Sequence, residues 1–136
     1  MVPGATPTRR AHVLIVDDET ASREFLDFTL REAGYITARA TNGQEALELA
    51  ELFGPFDLLV TDEMMPRMEG HVLAERLRQR EPWLKVLYHT GYTERVRQAR
   101  GPLENDEVCL EKPSTVDSLL ETVSRLLQSR RPIQTS

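Results

Sequence analysis

The sequence predicts an α/β fold, in which a parallel five-stranded sheet is covered by helices on both faces. Short apolar runs alternate with amphipathic stretches through most of the chain, and the sequence contains five segments of each kind. Continuous apolar runs are typical of strands that are buried on both faces, as they are in parallel sheets. Strands and helices that alternate in this way favour repeated strand–helix–strand units, in which the strands run parallel.

The first half of the chain contains three predicted strands and two predicted helices. The strands cover residues 12–16, 35–40 and 56–61, and the helices cover residues 20–33 and 44–53. Gly34 ends the first helix and Gly54-Pro55 ends the second. The residues at helical spacing are Phe25, Phe28, Thr29 and Leu30 in the first helix and Leu47, Ala50 and Phe53 in the second.

The second half contains two predicted strands and three predicted helices. The strands cover residues 86–89 and 108–110, and the helices cover residues 70–80, 93–100 and 116–127. From Val116 to Leu127 apolar residues recur with the period of one helical face. The helix at 93–100 is weakly apolar, and only Val96 and Ala99 are expected to face inward.

Length and charge limit the classes of protein to consider. The 136 residues suit one globular domain, expected at residues 10–129 between flexible tails at 1–9 and 130–136. The net charge of −5 argues against electrostatic attraction to nucleic acid or to an anionic membrane. No apolar run approaches the roughly 20 residues of a membrane span. The single cysteine, Cys109, cannot form an internal disulfide, so we expect a cytoplasmic protein.

Polar side chains follow four of the predicted strands at the point where each strand ends. Asp17 and Asp18 follow the first strand, Asp62 the third, Thr90 the fourth and Lys112 the fifth. Ligands of open α/β sheets bind outside the carboxyl ends of the strands. If the strand order is 2-1-3-4-5, the first and third strands are central neighbours, and these side chains converge on one site.

The chemistry of such a site is restricted. Clustered carboxylates repel one another unless a cation neutralises them, and a hard ion such as Mg²⁺ suits oxygen ligands. A carboxylate beside that ion can attack phosphorus to give an acyl phosphate. An ammonium and a hydroxyl would stabilise the transferred oxygens. Each feature alone has a simpler interpretation: Asp17-Asp18 as a helix cap, and Asp62 and Thr90 as turn residues.

Four segments resemble the signature positions of CheY-like receiver domains of two-component response regulators. They are VDDE (Val16 to Glu19), TDEMMPRMEG (Thr61 to Gly70), HTG (His89 to Gly91) and EKP (Glu111 to Pro113). The resemblance covers about residues 11–128. It implies a (βα)5 flavodoxin-like three-layer sandwich with strand order 2-1-3-4-5. The stretch from Leu87 to Pro113 is most similar to receivers of hybrid sensor kinases.

The resemblance also implies roles for individual residues. Asp62 would accept the phosphoryl group and bind Mg²⁺ or Mn²⁺. Asp18 would bind the ion directly, Asp17 would help through water, and Met64 would contribute its backbone carbonyl. Thr90 would be the switch hydroxyl. Lys112 would bind the phosphate, and the Lys112–Pro113 bond is expected to be cis.

Three positions bear on how such a switch would work, and one of them departs from the usual family pattern. The family usually has Tyr or Phe three residues before the lysine, where this chain has Cys109, so this position supplies no aromatic ring to couple the site to the surface. The two variable positions beside the phosphoryl group are Met64 and Tyr92. Neither can position a hydrolytic water as an acid or amide would, which predicts a long-lived phosphoryl state.

The resemblance implies protein partners rather than an independent enzyme. The phosphoryl donor would be a sensor histidine kinase or a histidine phosphotransfer protein, and a protein target would read the surface of the last helices. A homodimer through the fourth helix, fifth strand and fifth helix is a further expectation. Catalysis would be limited to self-phosphorylation and self-dephosphorylation.

Three alternative functions fit the sequence less well. A phosphohydrolase of the haloacid dehalogenase type would need Asp-x-Asp after the first strand, but Glu19 stands two residues after Asp17. A flavodoxin-like cofactor binder would need a Ser/Thr/Gly-rich phosphate loop where this chain has acids. A receiver-like scaffold that is never phosphorylated would not need the complete set of site residues.

Overall fold

The computed structural model describes residues 10–103 and 106–129, in which five strands alternate with five helices. The predicted tails at 1–9 and 130–136 lie outside the described residues. The elements are β1 (His12–Val16), α1 (Thr20–Glu32), β2 (Ile36–Ala40), α2 (Gly43–Phe53), β3 (Leu58–Thr61), α3 (Gly70–Arg80), β4 (Lys85–Thr90), α4 (Thr93–Arg100), β5 (Glu107–Glu111) and α5 (Val116–Gln128). Each predicted element is present, with ends within two residues of the prediction.

The five strands form one parallel sheet in the order β2-β1-β3-β4-β5. The predicted α/β class and strand order are therefore confirmed. Val16, the last residue of β1, pairs with Thr61, the last residue of β3. Thr90 at the end of β4 pairs with Glu111 at the end of β5. β4 continues two residues beyond β3, because Thr61 pairs with Tyr88. All the strands are parallel, so the residues that follow them lie at the same carboxyl edge of the sheet.

The core consists of two apolar layers, one on each face of the sheet. Neighbouring strand residues point to opposite faces, so Leu14 enters one layer and Val13 enters the other. The first layer packs the sheet against α2, α3 and α4, and the second packs it against α1 and α5. Each large apolar side chain that is fully buried contributes about 1.5–3 kcal/mol to the stability of the folded state. The result is a sandwich of helices, sheet and helices.

Four apolar residues assigned to inward stripes are in fact exposed: Phe28, Phe53, Ala99 and Val116. In α1 the core positions belong to Leu26 and Leu30, and Phe28 lies between them in sequence, on the opposite side of the helix. Phe53 and Val116 are terminal residues of their helices, where fewer neighbours cover them. Arg100 rather than Ala99 turns inward beside Val96, because it pairs with Glu107.

The helices of this fold are short. The longest, α1 and α5, have 13 residues each. Within residues 10–103 and 106–129, no helix has the length and apolar character that a membrane span requires.

Candidate functional site

The acidic residues predicted to form a site lie together at the carboxyl edge of the sheet. Asp17 and Asp62 directly follow β1 and β3, and the Asp62 amide donates to the Val16 carbonyl at 3.1 Å. Carboxylate oxygens of Asp17, Asp18 and Asp62 all lie within 4.8 Å of one another. Asp17 and Asp62 are buried, whereas Asp18 is exposed. The site is thus a pocket of carboxylates with one side open to solvent.

Lys112 brings a positive charge to these acids from the loop after β5. Its Nζ lies 3.0 Å from Oδ2 of Asp17 and 3.0 Å from Oδ2 of Asp62, and 3.3 Å from Oε1 of Glu19. Burial by itself lowers the pKa of Lys112. The hydrogen bonds to Asp62 and Asp17 and the charges of both acids outweigh burial, so the pKa lies above its usual value. Lys112 is therefore an ammonium at physiological pH.

Asp17 is held in place by the start of α1. Its Oδ1 accepts from the Glu19 amide at 2.9 Å, and its Oδ2 accepts from Oγ of Ser22 at 2.6 Å. The carbonyl of Asp17 accepts from Nη1 of Arg23 at 2.7 Å. Ser22 and Arg23 were not identified from the sequence, although a polar first turn directly after the acids is a usable signal. These bonds hold the buried side chain of Asp17 in place and satisfy its oxygens.

Asp62 offers two oxygens in different environments. Oδ1 accepts from the backbone amide of Glu63 at 2.7 Å, and Oδ2 accepts from Lys112. The preceding residue, Thr61, donates from Oγ1 to the Asp62 carbonyl at 2.8 Å. Met64 follows two residues later in the loop between β3 and α3. Backbone and side chain together therefore orient the Asp62 carboxylate.

Thr90 is buried at the end of β4, beside the lysine loop. Its Oγ1 accepts from the Tyr92 amide at 3.1 Å, and its carbonyl accepts from the Lys112 amide at 3.0 Å. The Lys112–Pro113 peptide is cis, as the resemblance implies. A second cis peptide, Gly54–Pro55, was not expected from the sequence. The bond between Thr90 and Lys112 joins the two loops that carry the hydroxyl and the ammonium.

His89 is a buried packing residue near the end of β4. Its ring lies 6.3 Å from that of Phe25, and its Nε2 is 3.0 Å from Oγ of Ser114. Burial, and then the charge of Lys112, lower the pKa of His89 to about 4. The imidazole is therefore neutral at physiological pH.

The strand position that is usually aromatic in the family is occupied by Cys109, which is half-buried in β5. Burial raises the pKa of its thiol, so the thiol is protonated. Its partner in β4 is Tyr88, which is fully buried. An aromatic ring is thus present beside the usual position, on the neighbouring strand.

One buried acid near the site was overlooked in the sequence. Glu63 follows Asp62 directly, and its side chain is enclosed. Its Oε1 accepts from the His71 amide at 2.9 Å, and its Oε2 lies 2.5 Å from Nδ1 of the His71 ring. Nothing in the local pattern distinguishes Glu63 from a solvated acid, because its burial depends on the position of α3.

The donor set fits a hard divalent cation. The carboxylates of Asp17, Asp18 and Asp62, together with that of Glu19, outnumber the one ammonium of Lys112, so negative charge remains at the site. The oxygens of the three aspartates are close enough to share an ion. Mg²⁺ binds such groups while it keeps several water ligands. The exposed position of Asp18 leaves room for those waters.

Comparison with known proteins identifies the family. The model of the response regulator receiver domain matches residues 13–124. The chain belongs to the response regulator receiver family. The sensor kinase CckA of Brucella abortus (strain 2308) is 36% identical over 121 residues, which are 88% of this chain and 13% of that protein. The response regulator receiver protein CpdR of the same organism is 32% identical over 115 residues, covering 85% of this chain and 95% of CpdR.

Solved structures show the same relationship. The receiver domain of the hybrid histidine kinase CckA has a TM-score of 0.73 and 33% identity, over 86% of this chain and 99% of that chain. The chemotaxis protein CheY4 of Vibrio cholerae has a TM-score of 0.75 and 30% identity, over 87% of this chain and 99% of that chain. This receiver domain therefore resembles both hybrid-kinase receivers and single-domain receivers.

Membership of the family establishes the general role. The chain is a receiver domain of the two-component class, and receivers of this class act in phosphorelay signalling and generally bind Mg²⁺ at an acidic pocket. The dehalogenase-type and cofactor-binding alternatives have no support, since the receiver model covers every strand residue except His12 and also covers the predicted site.

Proposed function

We propose that this receiver domain accepts a phosphoryl group on Asp62 from a phosphohistidine donor, in a reaction that depends on Mg²⁺ or Mn²⁺. The observation that carries the proposal is the position of Lys112. Its Nζ lies 3.0 Å from one oxygen of Asp62, while the oxygens of Asp17 and Asp18 lie within 4.8 Å on the same edge. Nucleophile, cation ligands and phosphate-binding ammonium therefore share one pocket.

The metal ligands would be Asp18, Asp62 and the backbone carbonyl of Met64, with Asp17 acting through water. A bound divalent ion supplies charge neutralisation for the carboxylates and for the incoming phosphoryl oxygens. Asp17 suits an indirect role, because its two oxygens already accept hydrogen bonds from Glu19 and Ser22. Asp18 has the solvent exposure that a direct ligand with a wet coordination shell needs.

The chemical step belongs to Asp62. One of its carboxylate oxygens forms a bond to phosphorus as the phosphorus–nitrogen bond of the donor breaks and the electron pair returns to the imidazole. Lys112 stabilises the charge on the transferred oxygens, since its ammonium already lies against the carboxylate. Because the contact between Lys112 and Asp62 exists before the phosphoryl group arrives, the transfer requires less reorganisation of the site.

Thr90 would report the change to the surface. Its hydroxyl accepts from the Tyr92 amide in the described state, and it would donate to a phosphoryl oxygen once Asp62 is modified. A shift of Thr90 would reach the Lys112 loop through their backbone hydrogen bond. The face formed by α4, β5 and α5 is therefore the proposed target surface, and a homodimer would use the same elements.

The partners follow from the relatives. Several relatives are sensor kinases, which implies a histidine kinase or a phosphotransfer protein as donor. The chain spans 13% of CckA and 10% of the sensor protein EvgS of Escherichia coli (strain K12), so the activities of those whole proteins are not transferred to it. A cytoplasmic location, a protein target and the absence of independent enzymatic turnover remain predictions.

The proposal is tested by phosphorylation in solution. Incubation with acetyl phosphate and Mg²⁺ should add about 80 Da to the intact protein, in an adduct that is stable to acid and labile to base. Asp62→Asn should abolish the adduct, whereas Asp117→Asn, which changes an exposed acid on α5, should not. A folded wild-type protein that forms no adduct would instead favour the scaffold that is never phosphorylated.

A further inference from the structure

The buried acid that follows Asp62 ties the phosphoacceptor loop to the start of α3. Glu63 is 2% exposed, and a carboxylate so enclosed is stable only when its oxygens are bonded. Both oxygens are used by a single residue, His71. Oε1 accepts from the His71 amide at 2.9 Å and Oε2 lies 2.5 Å from Nδ1 of the ring. His71 is the second residue of α3, so this contact spans the loop.

The backbone contacts around Glu63 are equally close. Its carbonyl accepts from the Gly70 amide at 3.0 Å, and a Cβ on Gly70 would lie 2.2 Å from the Asp62 carbonyl oxygen. The first turn of α3 therefore packs directly against the peptide that carries Asp62. The amide of Glu63 in turn donates to Oδ1 of Asp62 at 2.7 Å. The orientation of the Asp62 carboxylate thus depends on where Glu63 is held.

We propose that Glu63 and His71 form a positioning pair for phosphoryl transfer. Neither touches the phosphoryl group. The pair holds the Glu63 amide that orients Asp62, and it holds the loop that leads to the Met64 carbonyl. This inference rests on the proposed role of Asp62 as phosphoacceptor and adds two residues to the machinery that supports it.

Loss of either partner disturbs the same contact. Without the His71 ring, the buried Glu63 carboxylate has no hydrogen-bond partner for one of its oxygens. The carboxylate therefore moves toward solvent, and Glu63 is the residue next to Asp62. In Glu63→Ala, α3 loses the acceptor of its second amide altogether. Residues that orient a ligand of a metal typically change affinity or activity by about 10–100-fold when replaced. We expect the effect near the lower end, roughly tenfold, because the hydrogen bond between the Gly70 amide and the Glu63 carbonyl remains.

The test uses His71→Gln, Glu63→Gln, Glu63→Ala and the double variant His71→Gln/Glu63→Gln in the full chain. His12→Gln serves as the matched control, because His12 begins β1 at the opposite edge of the sheet. Three quantities are measured: the Mg²⁺ concentration for half-saturation, the rate of acyl phosphate formation at saturating Mg²⁺, and the NMR shift of the Glu63 amide. The melting temperature is recorded for each variant.

Each single glutamine variant should weaken Mg²⁺ binding by roughly tenfold and slow phosphorylation, with a shifted Glu63 amide. The double variant should be no worse than the more affected single one, because both remove the same contact. Glu63→Gln should retain more activity than Glu63→Ala, since the amide oxygen still accepts from His71. If Glu63→Ala does not fold, His71→Gln, which changes a half-buried side chain, still decides the matter.

The proposal is overturned if His71→Gln leaves Mg²⁺ affinity, rate and amide shift at wild-type values. It is also overturned if the two single effects multiply in the double variant. Failure of the proposed function looks different: the wild-type protein itself would form no adduct. Mg²⁺ affinity and the amide shift would then still report whether the pair positions Asp62.

Discussion

Nζ of Lys112 lies 3.0 Å from Oδ2 of Asp62, although the two residues are 50 positions apart and their strands are separated by β4. The same ammonium lies 3.0 Å from Asp17. One positive charge is therefore shared by two buried carboxylates, while the nearby Asp18 adds a third negative charge. The free energy of unfolding should therefore depend on whether a bound divalent cation neutralises the remaining negative charge.

Magnesium should stabilise the folded domain through Asp18. At a free Mg²⁺ concentration about 100 times the dissociation constant, binding to the folded state alone adds about 3 kcal/mol to the free energy of unfolding. Asp18→Asn should remove most of this gain, because it deletes an exposed ligand of the cluster. Thermal unfolding with Mg²⁺ or with NaCl of equal ionic strength measures the effect. An equal gain in both salts would contradict the site.

His89 should make the domain less stable as the pH falls. Its pKa is about 4 in the folded domain because of burial and the charge of Lys112, and near 6.5 when unfolded. Between these values the unfolded chain binds the proton first, so stability declines from pH 6.5 toward pH 4 by roughly 3 kcal/mol in total. NMR titration of the His89 ring gives the pKa. His89→Gln should flatten this part of the stability profile, and parallel profiles would refute the assignment.

Arg78 should contribute strongly to stability through a buried ion pair. Its Nη1 lies 2.6 Å from Oε2 of Glu107, which also pairs with Arg100 from the end of α4. Arg78→Met leaves the buried Glu107 short of a partner, with an expected cost of about 3 kcal/mol or more. Arg125→Met is the control, because its pair with Glu121 is exposed and should contribute less than about 0.5 kcal/mol. Urea unfolding compares the two, and equal losses would contradict this prediction.

The phosphorylated state should be long-lived because Met64 cannot orient water. Met64→Asn introduces an amide that can hold a hydrolytic water beside the phosphoryl group, so the half-life should shorten severalfold. Arg67→Asn is the control, because it places the same side chain elsewhere in the same loop. The φ of residue 67 is 68°, a backbone conformation that Asn tolerates. Decay of the adduct after removal of acetyl phosphate is the measurement. A wild-type lifetime of only seconds would refute the prediction.

The fold could be predicted from the sequence because its signals are local. The apolar runs of β1, β3 and β4 are buried on both faces, and the acids and hydroxyl that end them fall at one edge. Once the order is 2-1-3-4-5, Asp17, Asp62 and Lys112 have to converge. Errors arose where a helical face was assigned from residue type, as for Phe28, because the face is set by the layer beneath it.

The supporting contacts could not be predicted, since they depend on how the helices pack against the loops and strands beside them. Glu63 is buried because α3 returns over the loop and supplies His71, eight residues away. Glu107 is buried because Arg78 and Arg100 reach it from two different helices. In a sequence, each of these charged residues looks the same as one that is solvated.

The most direct test of the account is the position of the acyl phosphate. Borohydride reduction of the phosphorylated protein converts the modified carboxyl group to an alcohol, and peptide mass spectrometry then locates it. We predict conversion at Asp62 alone, and only in samples that contained a divalent cation. Conversion at Asp17, Asp18 or Glu63, or equal conversion in the presence of a chelator, would contradict the central claim.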